Sequence, residues 1–468
     1  MKIRINLPLI LLLVFSYSIL PAQSPYDSLK YNYPYKDGIS FDKYKERRLK
    51  LSKYMSPRAI GIIFSSSYYS PIGNFYQPNL INSNMFYLTG MPDQKSVLLI
   101  IPGNYEYNGV KCNDIIFLDN LSTKNTLWYG RKVNLYDAEG IYGFKKALFL
   151  PKLESILDEL VILRDTLYVA EFPLITTEGV TQGEQIETKI DFLSKLKQKN
   201  PRLLVKNGII GLKLMRESKD SDEVRLIKRA VEITIDGFKA TINAAKPGMT
   251  EYQLKALMEY TFNKLGADGT GYPSIVTSGK NSVFLHQTIN RDTIKDGDLV
   301  IMDCGARYEG YTADVTRTFP INGKFTKEQK KIYNLVLEAA DSAFSVCIKD
   351  NSYLNPHVKA TSVIQRGLME LGIINNPNDV NYYFSHGTSH YIGLDVHDAG
   401  TSIILKPGNV LTIEPGIYIP EGSKCDSKWW NICVRIEDNV IITDGEPVML
   451  TKDLPREASD IEDMVGKE

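Results

Sequence analysis

The chain alternates between short, almost wholly apolar runs and longer stretches whose apolar positions recur every three to four residues. Residues 59–64, 96–102 and 114–118 have the length and β-branched content of buried strands, with Pro102-Gly103-Asn104 as a turn between two of them. The segment KYKERRLKLSKYM from Tyr44, and residues 150–163 and 186–199, have helical period instead. This alternation predicts an α/β first domain, preceded by a Tyr-, Ser- and Pro-rich lead-in at 24–45. The boundary falls near 208–213. A second domain then opens with helices. Asp220-Ser221-Asp222-Glu223 can cap the run 224–245, which Pro247-Gly248 stops. Thr250-Glu251-Tyr252-Gln253 has the capping-box pattern for a helix ending near Gly266. Two more helices are predicted near 327–349 and 358–371, among strand-like runs.

Those strand-like runs hold acids among apolar residues. Asp298-Leu299-Val300-Ile301-Met302-Asp303-Cys304-Gly305 turns at Glu309-Gly310 and returns through Tyr311-Thr312-Ala313-Asp314-Val315-Thr316-Arg317. If Glu309-Gly310 is a two-residue hairpin loop, 303 pairs with 316 and Asp314 shares the face of Asp303. The two carboxylates are then diagonal neighbours, roughly 7–8 Å apart at Cα; a bulge would change that register. Glu414 ends a second apolar run (409–415), and Glu437 a third (432–438), where Arg435 shares its face. Buried carboxylates without partners are costly. Any one of these acids could pair with a lysine or arginine, but only Arg435 and Arg317 lie nearby in sequence. Four such acids therefore call for cations.

Length changes the picture little: 468 residues imply two domains. Lysine plus arginine equals aspartate plus glutamate at 55 each, so no electrostatic footprint for nucleic acid or an anionic membrane is present. Lys2, Arg4, the apolar stretch 7–20 and Pro21-Ala22-Gln23 read as a secretory signal over residues 1–22. An uncleaved anchor is the alternative; no second stretch is long enough to span a membrane. A secreted or periplasmic protein is expected, with domains at 23–210 and 211–468. Cys425 and Cys433 are close enough to pair in an oxidising compartment, and two free thiols are the equal alternative.

The five histidines are unevenly placed. His386, His390 and His397 lie in one glycine-interleaved stretch, His286 follows an apolar run, and His357 stands apart with a structural reading. Four carboxylates and one imidazole suit two divalent ions. Carboxylate richness favours manganese, while imidazole also admits zinc, iron or cobalt. Two ions roughly 3.5–4 Å apart can share a water, lower its pKa and clamp an oxyanion, which is chemistry for hydrolysis.

At these residues the chain resembles the metal-dependent proline peptidases of the pita-bread fold, specifically the Xaa-Pro aminopeptidases (aminopeptidase P, family M24B). The resemblance rests on 386–398, Gly271-Tyr272-Pro273-Ser274-Ile275-Val276, Asp303…Asp314-Val315-Thr316-Arg317-Thr318, Ile413-Glu414-Pro415-Gly416 and Arg435-Ile436-Glu437-Asp438, in the family's order. It spans roughly 44–463, with Phe86-Tyr87-Leu88-Thr89-Gly90 in a creatinase-like N-terminal α/β domain. It implies that Asp303, Asp314, His390, Glu414 and Glu437 bind two metals, Asp314 and Glu437 contacting both. Glu414 would also be general base towards the bridging water. His286, His386 and His397 would line the pocket, the latter two holding the scissile carbonyl and the proline region. Arg435 would support catalysis through the acid network, with Tyr418 close by. Peptides with proline second would be substrates of a homodimer or tetramer. Trp429-Trp430 and Cys304 depart from the family's usual small residues. A prolidase restricted to dipeptides shares the motifs, and a non-catalytic binding protein of this fold would have lost ligands that are all retained here.

Overall fold

The computed structural model describes residues 37–65, 82–92, 94–120, 131–170 and 192–467. The segment read as a signal lies outside them. The first half is built on a six-stranded sheet in the order Ala147–Phe149, Val110–Leu118, Ser96–Tyr107, Ala59–Phe64, Thr166–Val169, Leu204–Asn207. The strand Ala59–Phe64 runs antiparallel to one neighbour and parallel to the other. It is buried at every residue, which is why it reads as an unbroken apolar run. Its side chains alternate between two cores. Ile63 packs with Tyr44 and Leu51 of the helix Phe41–Lys53 on one face. Ile60, Ile62 and Phe64 join Leu153, Ile156, Leu157 and Leu160 of the helix Leu153–Leu163 on the other. Thr166–Val169, Leu204–Asn207 and the helix Ser83–Thr89 were not anticipated, being too short to show a period.

The sheet's last strand ends at Asn207, and the helix Ile210–Glu217 leads into the second half. There Ser221–Ala244 is capped by Asp220 in a capping box with Glu223, and at the start of Glu251–Lys264 the Gln253 side chain accepts from Thr250 N–H at 2.8 Å. The helices Lys327–Phe344 and Asn355–Glu370 form a second pair. Lys327–Phe344 stops short of the expected end at 349, and the chain turns through Asp350 at φ 66°. Each helix pair precedes one antiparallel ribbon, widened at its edge by short strands: Gly269–Thr270 and Ile275–Ser278 on the first, Val448–Met449 on the second. The first comprises Leu299–Cys304 with Val315–Pro320, extended by Ala306–Tyr308 with Tyr311–Thr312. The second comprises Val410–Ile413 with Asp438–Ile441, and Gly416–Ile419 with Ile432–Arg435.

The two halves are joined by buried charge. Arg47 lies 3.2 Å from both Asp220 and Glu223, and the Tyr87 hydroxyl donates to the Met215 carbonyl at 3.0 Å. All five cysteines are free thiols, so Cys425 and Cys433 do not pair. No helix among the described residues is long and apolar enough to cross a membrane.

Candidate active site

Glu309 and Gly310 have φ of 48° and 89°, two consecutive left-handed residues as a tight two-residue hairpin loop requires. Tyr308 pairs with Tyr311 and Asp303 with Thr316, in one register without a bulge. Asp303 and Asp314 therefore share a face. The Tyr272 hydroxyl reaches both, 2.6 Å from Oδ1 of Asp303 and 2.5 Å from Oδ1 of Asp314. In the same register Gly305 stands across from Asp314, and a Cβ there would come 1.9 Å from the Ala313 carbonyl oxygen.

The two segments of the second ribbon share one register as well, which sets Glu414 across from Glu437 at the break between them. Like charges directly opposite are destabilising unless something positive lies between them. The histidine loop runs antiparallel alongside. Glu414 N–H donates to the Thr388 carbonyl at 2.9 Å, Thr412 N–H to that of His390 at 3.0 Å, and Ile392 N–H to that of Val410 at 3.1 Å. A bridge between Thr316 and Glu437 ties this assembly to the first ribbon.

The outcome is a set of converging donors. Asp314, His390 and Glu437 each offer a ligand atom, all within 4.8 Å of one another. His390 Nε2 lies 3.3 Å from Asp314 Oδ2 and 3.6 Å from Glu414 Oε1. Its Nδ1 faces the Tyr391 carbonyl at 3.2 Å, a contact that assigns the proton to Nδ1 and leaves Nε2 free to ligate. Asp303 pairs with Arg435 Nη2 at 2.5 Å. Arg435 also donates from Nη1 to Tyr418 at 3.1 Å and from Nε to Thr316 Oγ1 at 3.1 Å, while Thr316 Oγ1 donates to Glu437 Oε2 at 2.7 Å. Arg317 turns away from the site to Asp438, at 2.7 Å.

Four carboxylates thus face one guanidinium and one imidazole. Burial pushes Asp303 and Glu437 up, Glu437 further because Asp314 and Glu414 crowd it, and burial pushes Glu414 up to about 7. Burial alone would depress His390; Asp314 and Glu414 outweigh it and raise it to about 9. These are the signs of a site short of positive charge, and an acid-rich, imidazole-containing donor set of this kind fits divalent cations.

The other histidines surround this centre. His386 lies with Nδ1 3.8 Å from Glu414 Oε2 and 2.8 Å from the Gly387 carbonyl, and with Nε2 3.0 Å from Tyr418. Burial and the Arg435 charge hold it down to about 4, hence neutral. His397 packs edge-on to His390 at 4.4 Å between ring centroids. His286 sits on an exposed stretch, close enough that its charge depresses both His386 and His397. His357, read from sequence as merely structural, bonds Thr388 Oγ1 at 3.0 Å and packs on Phe384, which packs on His386. Sequence reasoning gave no role to Tyr272, although it lies in a quoted segment, nor to Thr316, although the alternation argument puts it on the Asp303–Asp314 face.

Two family models match the chain: "Metallopeptidase family M24" over residues 225–444 and "Aminopeptidase P, N-terminal domain" over 44–168. With the fold and the acid–imidazole centre, they define a metallopeptidase with a pita-bread catalytic domain behind an α/β N-terminal domain. Among curated proteins, Xaa-Pro aminopeptidase of Escherichia coli (strain K12) is 31% identical, covering 91% of this chain and 97% of that protein. Xaa-Pro aminopeptidase 3 of Homo sapiens is 30% identical, over 92% and 87%. Among solved structures, Pseudomonas aeruginosa aminopeptidase PepP superposes with a TM-score of 0.80 at 31% identity, covering 91% of this chain and 98% of that one. Aminopeptidase P from E. coli with the inhibitor Pro-Leu superposes with 0.79 at 30%, over the same shares. The chain belongs to the aminopeptidase P branch, M24B, of metallopeptidase family M24, and is a metallo-aminopeptidase.

Proposed function

We propose that the protein releases the first residue from peptides with proline in second place, using two divalent ions held by Asp303, Asp314, His390, Glu414 and Glu437. The observation that carries the metal reading is Glu414 facing Glu437 across the ribbon, with Asp314 and His390 beside them. The Xaa-Pro reading is supported by the relatives that bear that name. Bound there, the cations would supply Lewis acidity and acidify a water for attack on the scissile carbonyl; the carboxylate-rich set favours manganese.

The chain's own residues do the rest. Glu414, beside His390 and His386, takes the proton of the attacking water and delivers it towards the leaving proline nitrogen. His386 is neutral and 3.8 Å away, placed to share that proton. Tyr418 bridges His386 and Arg435, fixing one ring nitrogen of His386 while the other faces Glu414. His397 stands exposed beside the metal-binding imidazole, with the exposed His286 near His397 and His386, where the substrate's carbonyl and proline would lie. Proline has no N–H and a fixed φ, so a dedicated pocket serves a bond that general peptidases handle poorly. The protein would act outside the cytoplasm as a homo-oligomer, directed there by residues 1–22.

The test is release of the first residue from Xaa-Pro-Xaa peptides by manganese-loaded protein, with an Xaa-Pro dipeptide run in parallel. Release from the longer peptide is expected. Cleavage of the dipeptide alone would make the protein a prolidase, and no release from folded, metal-loaded protein would refute the proposal.

A further inference from the structure

His397 is flanked by two acids, and both are held by residues far away in the chain. Arg216 Nη2 pairs with Asp395 Oδ2 at 2.7 Å and also with Asp398. Lys219 Nζ lies 3.0 Å from Asp398 Oδ2. Arg216, Lys219 and Asp398 are almost fully buried, while the Asp395 side chain is 45% exposed. Gly393 is shaped to this arrangement: a Cβ there would come 2.1 Å from Asp398 Oδ2. Beyond Ile392, where the backbone pairing with Val410 ends, charge therefore helps to pin the loop that leads to His397.

The pin continues into the N-terminal domain. The Ser83 hydroxyl donates to Asp395 Oδ1 at 2.6 Å, and Arg216 Nη1 donates to Asn84 Oδ1 at 2.7 Å. Both residues open the short helix Ser83–Thr89, capped by Asn82. The same helix reaches the other half of the site. A Cβ on Gly310 would come 2.7 Å from Phe86 Cε1 and 3.4 Å from Leu394 Cδ2, so the Phe86 ring lies against the turn of the Asp303–Asp314 hairpin and beside the histidine loop. Thr312 N–H donates to the Gly393 carbonyl at 2.8 Å, closing the triangle.

We propose that Asp395 is a positioning residue that aims His397, and that Ser83, by holding Asp395, makes the N-terminal helix a structural part of the catalytic centre. The helix Ser83–Thr89 touches the hairpin turn and the histidine loop together, so seating of the N-terminal domain sets where His397 stands. The inference rests on the role proposed for His397 above.

The experiment is a double-mutant cycle on the manganese-loaded full chain, with Ser83→Ala and Asp395→Asn each made alone and combined with His397→Ala. Asp395 is the half-exposed member and Asp398 still pairs with Arg216, so neither change strands a buried charge. Bound manganese and melting temperature are measured alongside. Partners that orient site groups typically cost 10–100-fold in activity, so kcat is expected to fall roughly 10-fold in D395N and several-fold in S83A, with bound metal unchanged. In the His397→Ala background the same changes should cost nothing further, because the group they aim is gone. A loss of equal size in both backgrounds, or one that follows lost metal or lost folding, overturns the inference. So does retention of full kcat by both variants while His397→Ala is impaired. If His397→Ala itself keeps full activity, the proposed role of His397 fails first.

Discussion

Tyr272 has one phenolic proton and two carboxylates within reach, so it can donate fully to only one of Asp303 and Asp314 at a time. Burial holds that phenol well above its usual range, so it stays protonated and stays a donor. It orients both acids of the first ribbon without contributing charge. Tyr272→Phe removes the donor and little volume. Partners of this kind typically contribute 10–100-fold to metal affinity, so the variant should bind manganese about 10-fold more weakly, with unfolding of the metal-free protein little changed. A metal titration followed by calorimetry measures this, and unchanged affinity would show the hydroxyl to be idle. At this scale the four strand-borne acids were legible because acids inside apolar strands stand out, whereas the choice of His390 among the histidines came from the family resemblance. Tyr272 was not legible, because a tyrosine beside a proline in a loop resembles ordinary packing. Nor was His357, whose link to Thr388 depends on a helix crossing behind the loop.

Among the elements, legibility followed length and local chemistry. The helices starting at Ser221 and Glu251 were marked by caps written into four consecutive residues; the first box forms in full and the second through Gln253. The register of the first ribbon was legible because Glu309-Gly310 admits a two-residue turn, and one register then places every side chain down to Asp303. The opposition of Glu414 and Glu437 was hidden: it needs the pairing of strands joined by a long connection, which no local signal reports. Gly305 shows how much depends on that close pairing. A methyl there would sit 1.9 Å from the Ala313 carbonyl oxygen and 2.6 Å from its carbon, with the Tyr272 ring 3.0 Å away, so the nearest obstacle is backbone that cannot swing aside. Gly305→Ala should part the strands beside Asp314, cost about 1–3 kcal/mol or more as overpacking does, and weaken metal binding as well. Urea unfolding of loaded and metal-free protein measures both; an equal loss in the two forms would mean that the hairpin shift does not reach the ligands.

Across the whole molecule, the site's charge imbalance sets how stability responds to pH and metal. Between pH 7.5 and 9, His386 and His397, whose values are depressed, are neutral folded or unfolded and contribute no slope. Glu414, raised from 4.5 to about 7, and His390, raised from 6.5 to about 9, hold protons in the folded metal-free protein that the unfolded chain has released. Glu437, also raised, acts in the same direction. Where the folded state binds more protons, stability falls as pH rises. The metal-free protein should therefore lose melting temperature steadily from pH 7.5 to 9. Cations reverse the bias, because ligands must be a neutral imidazole and ionised carboxylates, so loading releases protons and stabilises the fold more at the alkaline end. Thermal melts of chelator-treated and manganese-loaded protein across this window should diverge with rising pH, and groups outside the site cancel in that difference. Parallel curves would mean that the carboxylates of the two ribbons are neutralised by something other than metal.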